Sequence, residues 1–244
     1  MTNDEPRLAD PVVAAPSETR PGPLPADDQF AAALRGFGFI GIAAIIVIFL
    51  GNAVFLPFSA ILALVWAWRS RTPWREIGYV RPKSWIGSAA IGIVFGCAFK
   101  LLMKMLVMPL LGADPINPAF HYLAGNRAAL PGMLYAVTIG AGFGEETMFR
   151  GYLFERFGKL FGQSLASKTV IVLITSVWFG LAHYSLQGIA GTEQALITGL
   201  VFGTIFAITG RIWMLMVAHA SFDLTAVAII YWDLETKVAH LVFK

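Results

Sequence analysis

Hydrophobic positions in this chain fall in long, nearly unbroken runs, too long and too uniform for one-faced surface helices or alternating strands. The first covers 36–68 and is interrupted by Gly51, Asn52 and Pro57. One helix of that length would be roughly 50 Å long, against about 30 Å of bilayer hydrocarbon. It predicts two spans with a turn near 51–57; one long tilted helix is the alternative. A third run covers 84–111 and carries Lys100 and Lys104 one turn apart. These lysines either snorkel or pair structurally, or they contact a substrate carboxylate or a lipid headgroup. A fourth starts near Leu130 and continues as an amphipathic helix to Phe161. The turn at 162–164 leads to a fifth run at 169–184. A neutral turn at 188–191 leads to a sixth at 194–209, and Gly210 and Arg211 to a seventh at 212–232. The expectation is an all-α, polytopic transmembrane helix bundle of about seven spans, within a range of six to eight.

Basic residues gather between the runs. Arg69, Arg71, Arg75, Arg81 and Lys83 stand against a lone Glu76, and Arg156, Lys159, Lys168 and Arg211 flank the later turns. Lys/Arg excess marks the cytoplasmic side, and these loops all alternate to one side. The loop at 112–129 has little net charge and is expected outside. Residues 1–28 are rich in Pro, Ala and acidic residues, show no signal-peptide pattern, and read as a disordered tail. The division expected is this tail, accessory spans with a basic cytoplasmic loop over 29–129, a catalytic membrane core over 130–232, and a C-terminal tail over 233–244. Composition agrees: 57% hydrophobic and 14% charged, with a mean hydropathy of +0.68, where soluble domains are about a quarter charged. The net charge of +3 sits in loops and does not suggest nucleic acid. Cys97 is the only cysteine, so no intrachain disulfide forms.

Few ionisable residues lie in the later runs: Glu145, Glu146, Arg150, His183, His219 and Asp223. An intramembrane ionisable group is a functional candidate by default. Glu146 and Arg150 are four apart on one helix face, as are His219 and Asp223, and Phe179 and His183. An arginine beside Glu146 would hold that carboxylate ionised. Glu145 points about 100° away, so the two glutamates cannot share a role. Glu145 and His183 each lie 19 residues from Ser164, positions 145 and 183 about 164. In an antiparallel hairpin this sets them at one height. Glu145, His183, His219 and Asp223 could then form one polar cluster. A carboxylate and a histidine around one water make a general base, and a second histidine can donate to an oxyanion. Two histidines and a glutamate (Glu145, His183, His219) would also suit zinc. A structural network and a proton relay of a transporter are the alternatives. Phe179 by itself reads as packing.

The sequence Glu145-Glu146-Thr147-Met148-Phe149-Arg150 resembles the EExxxR motif of the CPBP family. These are CAAX-protease and bacteriocin-processing proteins, also called abortive-infection proteins, related to the type II CAAX prenyl endopeptidases. Phe179 to His183 resembles the family's FxxxH motif, and His219 to Asp223 its HxxxN or HxxxD motif. Trp74 to Gly78 looks like the loop that often precedes the core. The resemblance implies an intramembrane endopeptidase with a catalytic cluster inside the membrane. It implies Glu145 as the base with His183 as partner, His219 and Asp223 at the oxyanion, and Glu146, Arg150 and Phe179 in support. No cofactor is expected, with zinc the alternative. Prenyl proteases of this type carry Asn at the position of Asp223, and an ionised Asp accepts but does not donate. Expected partners are membrane lipid and a membrane-associated peptide or protein. The expected location is a membrane crossed several times, the plasma or inner membrane if the chain is bacterial. An inactive immunity or scaffold protein, or a proton-coupled transporter, are the competing readings; no internal repeat supports transport.

Overall fold

A computed structural model describes residues 26–243, and the described residues form helices without strands. They run α1 (Ala26–Arg35), α2 (Phe39–Leu50), α3 (Phe58–Arg69), α4 (Trp85–Leu110), α5 (130–161), α6 (Leu165–Thr209), α7 (Trp213–Tyr231) and α8 (Glu235–Ala239). This is an all-α bundle, as the apolar runs predict. Its outer surface is apolar: Ile91 and Val94 on α4, and Leu173, Val177 and Leu181 on α6, are exposed. A water-soluble helix would place polar residues there. By length and hydropathy α4, α6 and α7 can each cross a membrane. The chain is a membrane protein.

The amino-terminal half departs from expectation. The run 36–68 does break at 51–57, but α2 and α3 have 12 residues each. At about 18 Å, neither crosses a bilayer as a simple span. Gly36 and Gly38 separate α1 from α2, and the two are bent by 62°; together they are long and apolar enough for one broken span. Expected spans one and two are therefore a bent pair and a short helix. The tail expected over 1–28 lies outside the described residues up to 25, and α1 already begins at Ala26. The tail expected over 233–244 holds α8, whose Glu235 is buried.

The helical run α6 is two arms. Gly188 has φ +62° and ψ −157°, which a side-chain-bearing residue rarely adopts. There the chain doubles back. Gly180 meets Thr192 and Leu196, Gly199 meets Ser176, and Gly203 meets Val172. These pairs are symmetric about Gly188, as in an antiparallel hairpin. This is the turn expected at 188–191.

Close crossings seat α7. Gly92 and Gly96 form a small-xxx-small stripe on α4. A Cβ at Gly96 would collide with the Ala218 carbonyl oxygen, and one at Gly92 would press on Met214 and Val217. On the other flank, Gly142 of α5 lies against Met216 and Ala220. So α7 is clasped between α4 and α5. The basic loops meet at one end: Lys159 pairs with Glu76 at 3.1 Å, and Ile212 N–H donates to Gly78 O at 3.0 Å. At the other end of α7, Gly125 N–H donates to Tyr231 O, and residues 113–123 fold over the bundle.

Candidate active site

Between α4, α5, α6 and α7 lies a cavity of about 740 Å³, lined by Glu145, His183, His219, Asp223 and Lys100 among others. Loop residues 113–118 form part of its wall. The loop expected to be merely external therefore covers the site.

Helix α5 builds one side. Residues Ala136–Glu145 and Thr147–Tyr152 are π-helical. Such widened turns are frequent at functional sites. Glu146 faces inward and is fully buried. Its Oε1 accepts from Arg150 Nη1 at 2.8 Å and from His219 Nδ1 at 2.7 Å. The guanidinium of Arg150 also lies over Phe179 (4.9 Å to the centroid) and Phe202 (5.5 Å). Phe179 and Phe202 each meet the His219 ring edge-on. A buried carboxylate needs such partners, because burial strips it of water. Next to it, Thr147 donates to Phe143 O at 2.7 Å. Its one hydroxyl proton is thus used, so Tyr79 must donate in its 2.7 Å bond to Thr147. Burial pushes the Tyr79 phenol up to about 12, against the effect of that bond, so it stays a neutral donor.

Glu145 turns to the other side of the same imidazole. Its Oε2 is 3.8 Å from His219 Nε2, and its side chain is 28% exposed. Asp223 Oδ2 stands 3.7 Å from the same nitrogen, with its side chain 26% exposed. Both separations exceed a hydrogen bond. His183 donates its Nδ1–H to Phe179 O at 2.8 Å, since a carbonyl only accepts. That leaves Nε2 as its free nitrogen. His183 and Asp223 are within electrostatic reach of Glu145. The hairpin register expected from Ser164 has a direct sign: Phe149 and Phe179, equally far from it, pack edge-on at 4.9 Å.

All seven residues picked from the sequence thus converge. Glu145, His183, His219 and Asp223 line the cavity, as does Phe179, while Glu146 and Arg150 sit behind them. Two features escape sequence reasoning. The bond from His219 to Glu146 joins residues 73 apart and has no local signal. The second is the place of Lys100, which the sequence marks, with Lys104, as snorkelling or structurally paired, or as a contact for a substrate carboxylate or a lipid headgroup. It is buried, donates to Gln194 Oε1 at 2.9 Å, and lies 4.7 Å from the Phe222 ring centroid. As for zinc, no three His, Cys, Asp or Glu side chains among the described residues are gathered to hold one ion. His219 Nδ1 is bonded to Glu146 and His183 Nδ1 to a carbonyl, which leaves the Nε2 atom of each ring facing the site.

Residues 127–225 match the family model described as "Type II CAAX prenyl endopeptidase Rce1-like". The match covers less than half of the 244 residues but includes all three motifs, from Glu145 to Asp223. No curated protein and no solved structure gives a significant match. Through residues 127–225, then, this membrane chain is similar to the Rce1-like type II CAAX prenyl endopeptidases.

Proposed function

We propose that the chain is a multi-pass intramembrane endopeptidase in which Glu145 activates the water that cleaves a membrane-associated peptide. One observation carries the reading: two adjacent glutamates flank one imidazole, Glu146 bonded to Nδ1 and Glu145 3.8 Å from Nε2, and of the two only Glu145 opens on the cavity. Water between Glu145 and His183 loses a proton to the carboxylate. His183 suits the partner role because its Nδ1–H is committed and its Nε2 is free. The hydroxide oxygen bonds to the scissile carbonyl carbon. The C–N bond then breaks, and Glu145 returns the proton to the departing amine.

The developing oxyanion needs a donor. Glu146, held by Arg150, favours a proton on His219 Nδ1, and the carboxylates of Glu145 and Asp223 favour a second on Nε2. His219 Nε2–H is then the oxyanion donor. Asp223 as a carboxylate cannot donate, so it acts by orienting His219. The apolar wall suits a lipid-anchored substrate; the family's prenylated peptides are the first to test.

The test is cleavage by the purified chain in liposomes, with one peptide supplied prenylated and unprenylated. The native chain cleaves at least the prenylated form. Glu145→Gln loses about 10²- to 10⁴-fold, the usual worth of a general base. Full activity in Glu145→Gln sinks the mechanism.

A further inference from the structure

Lys100 has no part in the mechanism above, yet it is buried within the same cavity. The reason lies in α4. Gly92, Gly96 and Lys100 follow at four-residue steps, so they share one face. The two glycines bring that face against α7, and the next turn delivers the lysine stem beside Phe222. On α7, Phe222 is three residues from His219, or about 4.5 Å along the axis. Along α7, the Phe222 contact of the ammonium is thus about one helical turn from the position of the oxyanion donor.

Its partners do not match its charge. An ammonium has three donors and is costly to bury alone. The oxygen it meets is the neutral amide of Gln194 at 2.9 Å, and a second direction faces the Phe222 ring. The carboxylates of Asp223 and, more weakly, Glu235 act on it at longer range. Lys104, one turn on, contrasts with it. That lysine donates to Pro115 O and has Glu235 at 3.6 Å, and Glu235 also takes the N–H of Asn117 and His121 Nδ1. Lys104 belongs to a closed structural network. Among the described residues Lys100 is a buried cation on the cavity wall with no carboxylate within ion-pair distance.

We propose that Lys100 is a substrate-specificity residue that binds the C-terminal carboxylate of the peptide, a few residues beyond the scissile bond. A peptide residue spans at most about 3.5 Å, so a short tail past the reacting carbonyl reaches a point one helical turn away. Other walls offer that carboxylate Glu145, Asp223, Asp114 and Glu235, which repel it. Lys100 thus fixes both the direction of the chain and the length of its tail. The inference rests on the endopeptidase reading, and its test separates the two.

Peptides ending in a free acid, in an amide, and in an amide with an acidic side chain nearby are compared in cleavage, in neutral and in anionic liposomes. Binding of the same peptides to Glu145→Gln gives a readout that needs no turnover. The native chain prefers the free acid over the plain amide by about 10- to 100-fold, the worth of a charge-assisted hydrogen bond, chiefly in KM. In Lys100→Met that ratio falls to near one, and Lys100→Arg restores part of it. Binding to Glu145→Gln shows the same ratio, and Lys100→Met in that background removes it. A native chain indifferent to amidation overturns the proposal, as does a preference that survives Lys100→Met. Restoration by the acidic side chain alone assigns Lys100 to side-chain carboxylates and overturns the terminal assignment. A preference that appears only in neutral liposomes means that lipid headgroups occupy the lysine, and it too overturns the proposal. A chain that binds with the expected ratio but cleaves nothing contradicts the catalytic reading and leaves the lysine's role supported.

Discussion

The two sides of the His219 ring are built differently from almost the same residues. Behind it, Glu146, Arg150 and Phe202 are sealed, and the charges sit at hydrogen-bond distance. In front, Glu145 and Asp223 stand 3.8 and 3.7 Å away, about a quarter exposed, facing a cavity. Charges taken out of water must pair closely or cost several kcal/mol. Charges left at a cavity wall can keep longer distances and accept a visitor. The contrast teaches that neighbouring glutamates are assigned opposite tasks by what faces them, the rear one to hold and the front one to react.

The largest expected effect breaks the rear side. Arg150→Met leaves Glu146 buried without its cation. It should cost about 3–5 kcal/mol, read as unfolding in detergent. Arg150→Lys should recover only part, since a lysine lacks the broad guanidinium that reaches Glu146 and both rings at once. Next comes the clasp that sets both sides in place. Gly96→Val drives a branched side chain into the Ala218 carbonyl and should cost about 1–3 kcal/mol by the same measurement. The front side tolerates more. Asp223→Asn keeps the shape and the contact with His219, so cleavage should fall by less than about tenfold, under roughly 1.4 kcal/mol of barrier. Asp223→Leu should fall further. Smallest is Phe179→Leu, which removes a ring from beneath Arg150 and should cost about 1 kcal/mol in unfolding.

Much of the rear side is legible in sequence because it is local. Glu146 and Arg150 lie one turn apart, and helix geometry alone predicts their pairing. The neutral, glycine-bounded turn at 188–191 announces the hairpin in the sequence, and Gly188 supplies the left-handed φ at its reversal. The equal offsets about Ser164 give the height at which Phe149 meets Phe179. What sequence hides is contact across helices. Nothing near Glu146 says that His219 is its partner, and nothing near Lys100 says that Gly92 and Gly96 will press it to α7. The widened turns of α5 are invisible too, since the same residues would suit an ordinary helix. The bend between α1 and α2 has a signal in Gly36 and Gly38, but the length of the run 36–68 outweighs it. Buried Glu235 reads as part of a polar tail until the 113–123 loop folds onto it.

The most direct measurement puts Glu145→Gln and Glu146→Gln through one pair of assays, peptide cleavage in liposomes and unfolding in detergent. The account predicts that Glu145→Gln loses about 10²-fold or more in cleavage while unfolding like the native chain, and that Glu146→Gln unfolds several kcal/mol more easily. If instead Glu145→Gln cleaves normally, or if Glu146→Gln is as stable as the native chain, the division of labour between the two glutamates is wrong.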